Sequence, residues 1–156
     1  MKMRRNDKEI QNLAAIEDII GRSCICHLAL NDEGTPYVLP MCFAYHDRTF
    51  SFHSASDGRK IAALRNHPDV CISVVAGYDI LRHPKGCSWS MRYESVVGFG
   101  RVRFIEDPAE KRLTLERILL RYAGGHSFST DYSEEILQRT LVFDVCCDLL
   151  TAKVSG

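Results

Sequence analysis

The stretch FHSASDGRK, residues 52–60, contains the change of pattern on which the fold prediction depends. Its alternating first half is typical of a strand. From Gly58 onward the apolar residues follow helical spacing, and Ser56 or Asp57 is expected to cap that helix. A strand therefore leads directly into a helix that starts with a glycine and two cations.

Extended segments predominate on both sides of this stretch. Short apolar runs alternate with clusters of Asn, Asp and Gly, a pattern typical of strands joined by tight turns. Gly98 and Gly100 are expected to mark a bend or bulge in one long strand. Strands are predicted over residues 24–30, 35–45, 50–53, 70–76, 88–105 and 140–145, and helices after Asn6 (with Glu9 completing a capping box), from Gly58 to His67, from Pro108 and from Ser133.

The element order favours a mainly β (α+β) fold, a six-stranded antiparallel barrel with peripheral helices. Alternating βαβ units do not fit, because most strands follow one another without a helix between them. The 156 residues are predicted to form a single domain, 1–156. Side chains fill the interior of so small a barrel, so a larger ligand is expected on the barrel wall or between subunits.

Composition limits the possible partners. Twenty basic and twenty acidic residues cancel, so no overall charge favours nucleic acid or an anionic membrane. Apolar runs stay well short of the ~20 residues that span a bilayer, and the first residues lack a signal-peptide pattern. We therefore expect a cytoplasmic protein that contacts neither nucleic acid nor membrane.

The cysteines are expected to be reduced, mostly buried thiols, because seven is an odd number and several are too close in sequence to pair. Cys24, Cys26 and His27 are the nearest approach to a metal-ligand cluster. Alternation along a strand directs Cys26 and His27 to opposite faces, and no second cluster follows. No metal site is predicted.

Residues 52–60 also have the features of an anion site. Unpaired amide N–H groups at a helix start, together with Arg59 and Lys60, favour a phosphate. The alternative is an ordinary capped helix whose two cations are solvated. The pattern by itself leaves both interpretations open.

Two further stretches suggest a surface for a flat ligand. Pro36 and Pro40 remove two donors from an extended run, which indicates an edge strand with free backbone groups. In the stretch 89–101, Tyr93 and Ser95 share one face while charged residues occupy the other. A plain edge strand and a solvated sheet face are the respective alternatives.

Three segments in this order resemble the nitroimidazole-resistance branch of the pyridoxamine 5'-phosphate oxidase-like flavoproteins. They are PYVLPMCF at residues 36–43, FHSA with GRK at 52–60, and YESVVGFG at 93–100. The resemblance spans most of the chain. It implies a split β-barrel that forms a homodimer and holds FMN in a groove at the subunit interface.

The resemblance also implies roles for individual residues. The strand from Leu39 to Phe43 would lie along the isoalloxazine ring, and His53, Ser54 and Ala55 would lie beside the ribityl chain and phosphate. Arg59 and Lys60 would neutralise the phosphate, and Tyr93 and Ser95 would complete the wall. The implied cofactor-binding set is Leu39, Pro40, Met41, Cys42, Phe43, His53, Ser54, Ala55, Arg59, Lys60, Tyr93 and Ser95.

The expected function is an FMN-dependent oxidoreductase that reduces a small aromatic or nitroaromatic compound. His53 and Tyr93 are the candidate proton donors, and His53 is favoured because an ordinary imidazole pKa of ~6.5 allows proton exchange near neutrality. The alternative function is a non-catalytic module that stores or senses FMN. FAD, a deazaflavin or haem in the same groove, and NADH or NADPH as electron donor, also remain open.

Overall fold

Eight antiparallel strands and four α-helices form the part of the chain that the computed structural model describes, residues 8–155. The elements are β1 (Glu9–Ile10), α1 (Leu13–Arg22), β2 (Cys26–Asp32), β3 (Thr35–Met41), β4 (Ala44–His46), β5 (Thr49–Ala55), α2 (Arg59–Asn66), β6 (Asp69–Leu81), β7 (Ser90–Ile105), α3 (Pro108–Tyr122), α4 (Glu134–Arg139) and β8 (Thr140–Ser155). No helix within residues 8–155 is long and apolar enough to cross a membrane.

The strands form one sheet that does not close. Its order is β3-β2-β6-β7-β8-β5-β4, and β1 pairs with β8 outside this path. The first half of β8 lies between β7 and β5, and its second half lies between β7 and β1. β3 and β4 are therefore the open edges of a split barrel, as the α+β fold prediction requires.

The core that packs against this sheet is rich in aromatic residues. Phe52 of β5 stacks on Phe143 of β8 with 5.1 Å between the ring centroids, and both rings are fully buried. Phe43 and Phe50 lie 5.3 Å apart in the same cluster. Such pairs add to the stabilisation that burial of aromatic area provides, so the core holds β5 firmly in place.

The predicted bend near Gly98 and Gly100 is confirmed as a shift of register between β7 and β8 after Phe99. A Cβ on Gly100 would collide with the backbone carbonyl of Cys146, so only glycine fits there. The shift lets two very long strands bend around the core.

The predicted starts of α3 and α4 are also confirmed. Asp107 accepts a hydrogen bond from the Glu110 N–H at 2.8 Å and caps α3. Ser133 caps α4 by accepting a hydrogen bond from the Ile136 N–H. These caps form within four residues, so the local sequence determines them.

The structure has eight strands where the sequence predicted six. Residues 42–43 leave the sheet, which divides the predicted strand 35–45 into β3 and β4, and β1 is an additional short strand. Glu9 lies in β1, whereas α1 begins later and is capped by the Asn12 side chain; Asn6 lies outside the described residues. β6 and β8 are also longer than predicted, because their ends pair with β7 rather than with neighbours in sequence.

Candidate functional site

The junction of β5 and α2 has the strand-to-helix geometry that the sequence predicted. Gly58 precedes the helix with φ of 104°, a conformation that favours glycine. The first turn has no side-chain cap, so the expected capping by Ser56 or Asp57 is wrong. The amide N–H groups at the start of α2 are consequently available to an anion.

Lys60 is a half-buried cation beside this helix start. Its Nζ lies 3.5 Å from the Sδ of Met41, and no carboxylate within residues 8–155 forms an ion pair with it. Burial lowers the pKa of the ammonium group. Its charge is thus partly desolvated without a compensating negative charge, which favours an anionic ligand.

Arg59 points elsewhere. Its Nε lies 2.6 Å from the Oδ2 of Asp32, and its guanidinium lies 4.5 Å from the centroid of the Tyr37 ring. These contacts attach α2 to the β2–β3 hairpin. The predicted contact between Arg59 and a phosphate would therefore use its remaining N–H groups.

The wall predicted from Leu39 to Phe43 is divided between surface and core. Within the described residues β3 pairs with β2 alone, so its outer edge is open. Leu39 is half-buried and Met41 buried, while Pro40 and Cys42 are exposed. The strand thus offers an edge and an exposed face to a ligand.

Phe43 is the exception within this wall. Its ring is fully buried, and its N–H donates to the Tyr122 hydroxyl at 2.8 Å. The same hydroxyl donates toward the Phe43 and Cys24 carbonyls at 3.1 and 2.9 Å. The N–H and C=O groups of Phe43 are therefore already hydrogen-bonded to Tyr122. Only residues 39–42 can make the backbone hydrogen bonds expected for a flavin.

His53 lines two neighbouring pockets. An outer groove of about 560 Å³ runs along His53, Ser54 and Ala55 and is closed on its far side by α4. An inner pocket of about 200 Å³ lies between His53 and α3. Desolvation, and then the positive charge of Lys60, lower the His53 pKa. The ring is therefore uncharged near neutral pH.

Tyr93 and Ser95 lie far from His53 within one chain. On β8, Tyr93 is opposite Ser155, whereas His53 is opposite Val142. Thirteen residues separate these two positions, roughly 40 Å of extended strand. The Tyr93 hydroxyl accepts a hydrogen bond from Lys153 at 3.0 Å, which lowers the Tyr93 pKa. A single chain does not bring the two predicted halves of the site together.

Tyr132 is a site residue that the sequence analysis missed. Its hydroxyl is buried without a hydrogen-bond partner within the described residues, and its ring lines the inner pocket beside His53. It belongs to the irregular segment between α3 and α4, where no periodicity or motif marks it. Only the packing of α3 on β5 places it near His53.

A second large groove, of about 570 Å³, contains none of the predicted site residues. It lies beside the β2–β3 hairpin and the bulge at Gly100, with Asp69 and Asp148 at its rim. No set of three or more His, Cys, Asp or Glu side chains within residues 8–155 is arranged to hold a metal ion.

The cysteines are free thiols, but most are not buried. Cys26 and Cys147 are buried and Cys71 is half-buried, whereas Cys24, Cys42, Cys87 and Cys146 are exposed. The expectation of mostly buried thiols is wrong because neighbouring strand residues face opposite sides, as Cys146 and Cys147 do.

Comparison with known proteins connects this site to a family. The sequence model described as pyridoxamine 5'-phosphate oxidase matches residues 12–154. A "putative 5-nitroimidazole antibiotic resistance protein" from Bacteroides thetaiotaomicron is 38% identical; the match covers 94% of this chain and 86% of that chain with a TM-score of 0.83. No curated protein sequence matches the chain.

More distant structures share the fold. The flavocytochrome Anf3 from Azotobacter vinelandii is 20% identical, with 99% of this chain and 72% of that chain covered and a TM-score of 0.87. A FAD and heme binding protein from Mycobacterium smegmatis is 21% identical, with 96% and 74% covered and a TM-score of 0.86. They confirm the fold class predicted from the sequence.

Proposed function

This chain belongs to the pyridoxamine 5'-phosphate oxidase family, and from that premise we propose that it binds FMN and reduces small aromatic or nitroaromatic compounds. The observation that carries the proposal is the half-buried Lys60 ammonium, which has no carboxylate partner within residues 8–155. A phosphate monoester would supply the missing negative charge. The similarity to the 5-nitroimidazole antibiotic resistance protein of Bacteroides supports a nitroaromatic substrate.

The residues around Lys60 fit a phosphate group. The uncapped first turn of α2 offers N–H donors next to the ammonium group, and the half-buried Ser54 adds a hydroxyl at the end of β5. Charge-assisted hydrogen bonds of this kind are stronger than neutral ones. One anion would therefore satisfy the helix start and the lysine together.

The ring system of the cofactor would lie along β3. The Lys60–Met41 contact supports this location, because it joins β3 to the first turn of α2. FMN, when bound, supplies the two-electron chemistry, while the protein supplies binding and orientation. Residues 39–42 would provide backbone hydrogen bonds and an apolar surface.

His53 is the candidate proton donor. It borders the outer groove and the inner pocket, so it can reach a ligand in either. A bound phosphate would offset the positive charge of Lys60 and raise the His53 pKa toward its ordinary value. Cofactor binding would thus increase the protonated fraction of His53, which the charge of Lys60 decreases.

We include a homodimer in the proposal because Tyr93 and Ser95 complete the wall only if a second copy supplies them. The far end of the β6–β7 hairpin, residues 78–93, carries apolar side chains that are exposed to solvent in a monomer. Tyr78 is 75% exposed and Trp89 is 53% exposed. Burial of these side chains between two copies would favour the dimer.

The test begins with purified protein and its visible spectrum, before and after incubation with FMN. We expect a bound-flavin spectrum, and mass spectrometry of acid-released ligand to separate FMN from FAD, a deazaflavin and haem. A preparation that stays colourless after incubation with FMN would defeat the proposal.

Turnover is tested by stopped flow on the FMN-loaded protein. NADH or NADPH should bleach the flavin absorbance, and a nitroaromatic compound should restore it. Bleaching by neither nucleotide would favour the alternative function, a module that stores or senses FMN without catalysis.

A further inference from the structure

A cluster of polar side chains lies near the end of β8, remote from His53. This Tyr93 cluster consists of Lys8, Tyr93, Lys153 and Ser155. Tyr93 and Ser155 are directly opposite each other on β7 and β8. The Tyr93 hydroxyl accepts a hydrogen bond from the Lys153 ammonium group, and the Ser155 hydroxyl accepts one from the Lys8 ammonium group, each at 3.0 Å. Two cations therefore meet at neighbouring neutral groups.

The positive charge of the Tyr93 cluster is not fully compensated. Within residues 8–155, neither of its lysines forms an ion pair with a carboxylate. Glu94 follows Tyr93 in β7, but its side chain points to the opposite face of the sheet, where it binds Arg22 at 2.7 Å. Glu9 is opposite Lys153 on β1 and offsets part of the charge without a direct ion pair. The whole chain has twenty basic and twenty acidic residues, so this excess of positive charge is local.

The phenol of Tyr93 shows which charge the cluster favours. The hydrogen bond from Lys153 lowers the pKa of Tyr93, and the charges of Lys153 and Lys8 also lower it, while desolvation opposes them. Surroundings that favour negative charge on the phenol oxygen also favour negative charge on a ligand at the same place. Each ammonium group has three N–H donors, so both lysines retain donors for such a ligand.

The cluster is accessible on the face of the sheet that points away from the core. Val96 and Ala152 are opposite each other on β7 and β8, and both are buried in the core. Their neighbours Ser95 and Lys153 therefore point to the other face. Both lysines and the tyrosine of the cluster are partly exposed. Val75 lies opposite Ser95 on β6 and is 52% exposed, which adds an apolar contact on the same face.

We infer that the Tyr93 cluster binds the carboxylate of a small aromatic acid, with Lys8 and Lys153 at the carboxylate and Val75 at the ring. One negative charge matches two cations that Glu9 partly offsets. Val75 and Lys153 lie in one row across three strands, roughly 10 Å apart, a distance that one ring and a carboxylate bridge.

The inference rests on the proposed function only for the role of this acid as a substrate. In the proposed dimer, Tyr93 and Ser95 of a second copy complete the wall of the flavin site. An acid bound at the Tyr93 cluster then lies beside the cofactor. The substrate class is thereby narrowed from nitroaromatic compounds in general to those that carry a carboxylate.

The test measures binding of para-nitrobenzoate and of the uncharged para-nitrotoluene to the full chain by NMR titration, with flavin-free and FMN-loaded protein. Lys153→Met and Lys8→Met should each weaken binding of the acid about three- to tenfold and leave binding of para-nitrotoluene unchanged. Lys85→Met, which removes an exposed cation from the loop between β6 and β7, is the matched control and should change neither affinity.

Tyr93 serves as a second readout in protein with isotope-labelled tyrosine, its resonance identified by its loss in Tyr93→Phe. Saturating para-nitrobenzoate should raise the pKa of Tyr93, because a negative charge beside the phenol opposes its ionisation. Saturating para-nitrotoluene should leave this pKa unchanged. Equal affinities for the acid in the parent, Lys8→Met and Lys153→Met, or a Tyr93 pKa unchanged by the acid, would overturn the inference.

The flavin-free titrations separate this inference from the proposed function. Lys153-dependent binding of para-nitrobenzoate in a protein that never binds FMN would sustain the carboxylate site and reject the cofactor. Binding of FMN, with binding of the acid lost in Lys60→Ala and retained in Lys153→Met, would sustain the cofactor and reject the carboxylate site.

Discussion

The Nζ of Lys60 lies 3.5 Å from the Sδ of Met41, which joins the start of α2 to the end of the edge strand β3. The two residues are nineteen positions apart in sequence. The contact brings a candidate phosphate site and a candidate ring-binding strand to one place. A ligand that binds Lys60 through a phosphate therefore has β3 within reach.

Lys60→Ala should weaken FMN binding by about 10- to 100-fold, since charge-assisted hydrogen bonds contribute roughly 1.5–3 kcal/mol. Quenching of FMN fluorescence on titration with protein measures the affinity. Arg117→Ala, which removes an exposed cation from α3, is the control and should bind FMN as the parent does. Equal affinities in the parent and Lys60→Ala would exclude the lysine from the site.

His53 should make stability depend on pH. Its pKa is lower in the folded protein than its ordinary value of about 6.5, so the unfolded chain binds more protons as pH falls. The contribution of His53 to the unfolding free energy should therefore decrease as the pH falls through the ordinary imidazole value of about 6.5. His53→Gln should flatten this part of the profile in urea unfolding. A profile unchanged by His53→Gln would contradict the predicted desolvation.

Gly100→Ala should destabilise the fold by about 1–3 kcal/mol, because the added Cβ would meet the Cys146 carbonyl and backbone cannot move aside cheaply. Gly21→Ala is the matched control. Gly21 lies in α1 with nothing within 4 Å of a Cβ, so alanine should stabilise by roughly 0.5–1 kcal/mol. Chemical denaturation measures the unfolding free energy of both variants. Equal effects of the two substitutions would contradict the close packing of Gly100 against the Cys146 backbone.

Tyr122→Phe should destabilise by roughly 1–3 kcal/mol, because its hydroxyl accepts from the Phe43 N–H and faces two carbonyls, of Phe43 and Cys24. Tyr132→Phe removes a hydroxyl that has no partner within the described residues and is the comparison. The melting temperature should therefore fall below that of the parent in Tyr122→Phe and should not fall in Tyr132→Phe.

The proposed dimer predicts complementation between two inactive variants. If each site takes His53 from one subunit and Tyr93 from the other, random mixing of His53→Ala and Tyr93→Ala chains restores one intact site in each mixed dimer. Co-expression should then recover about a quarter of the parent's sites, measured as flavin-dependent turnover. No recovery, with mixed dimers demonstrated by mass, would place both residues in the same subunit's site.

Much of the fold was predictable because its signals are local. The caps of α3 and α4, the start of α2 at Gly58 and the bend at Gly100 each depend on a few consecutive residues. The resemblance to a flavoprotein family likewise depended on short motifs in order, and the family match confirms it.

Other features depended on contacts between distant residues. The sequence by itself determined that strands predominate, where three of the helices lie, and that two cations follow the start of one helix. It could do so because backbone preference and side-chain periodicity act over one or two turns. Tertiary packing alone decided that Tyr122 occupies the Phe43 backbone, that Asp32 binds Arg59, and that Tyr132 lies beside His53. Those partners lie 79, 27 and 79 positions apart, and only the path of the folded chain brings them together.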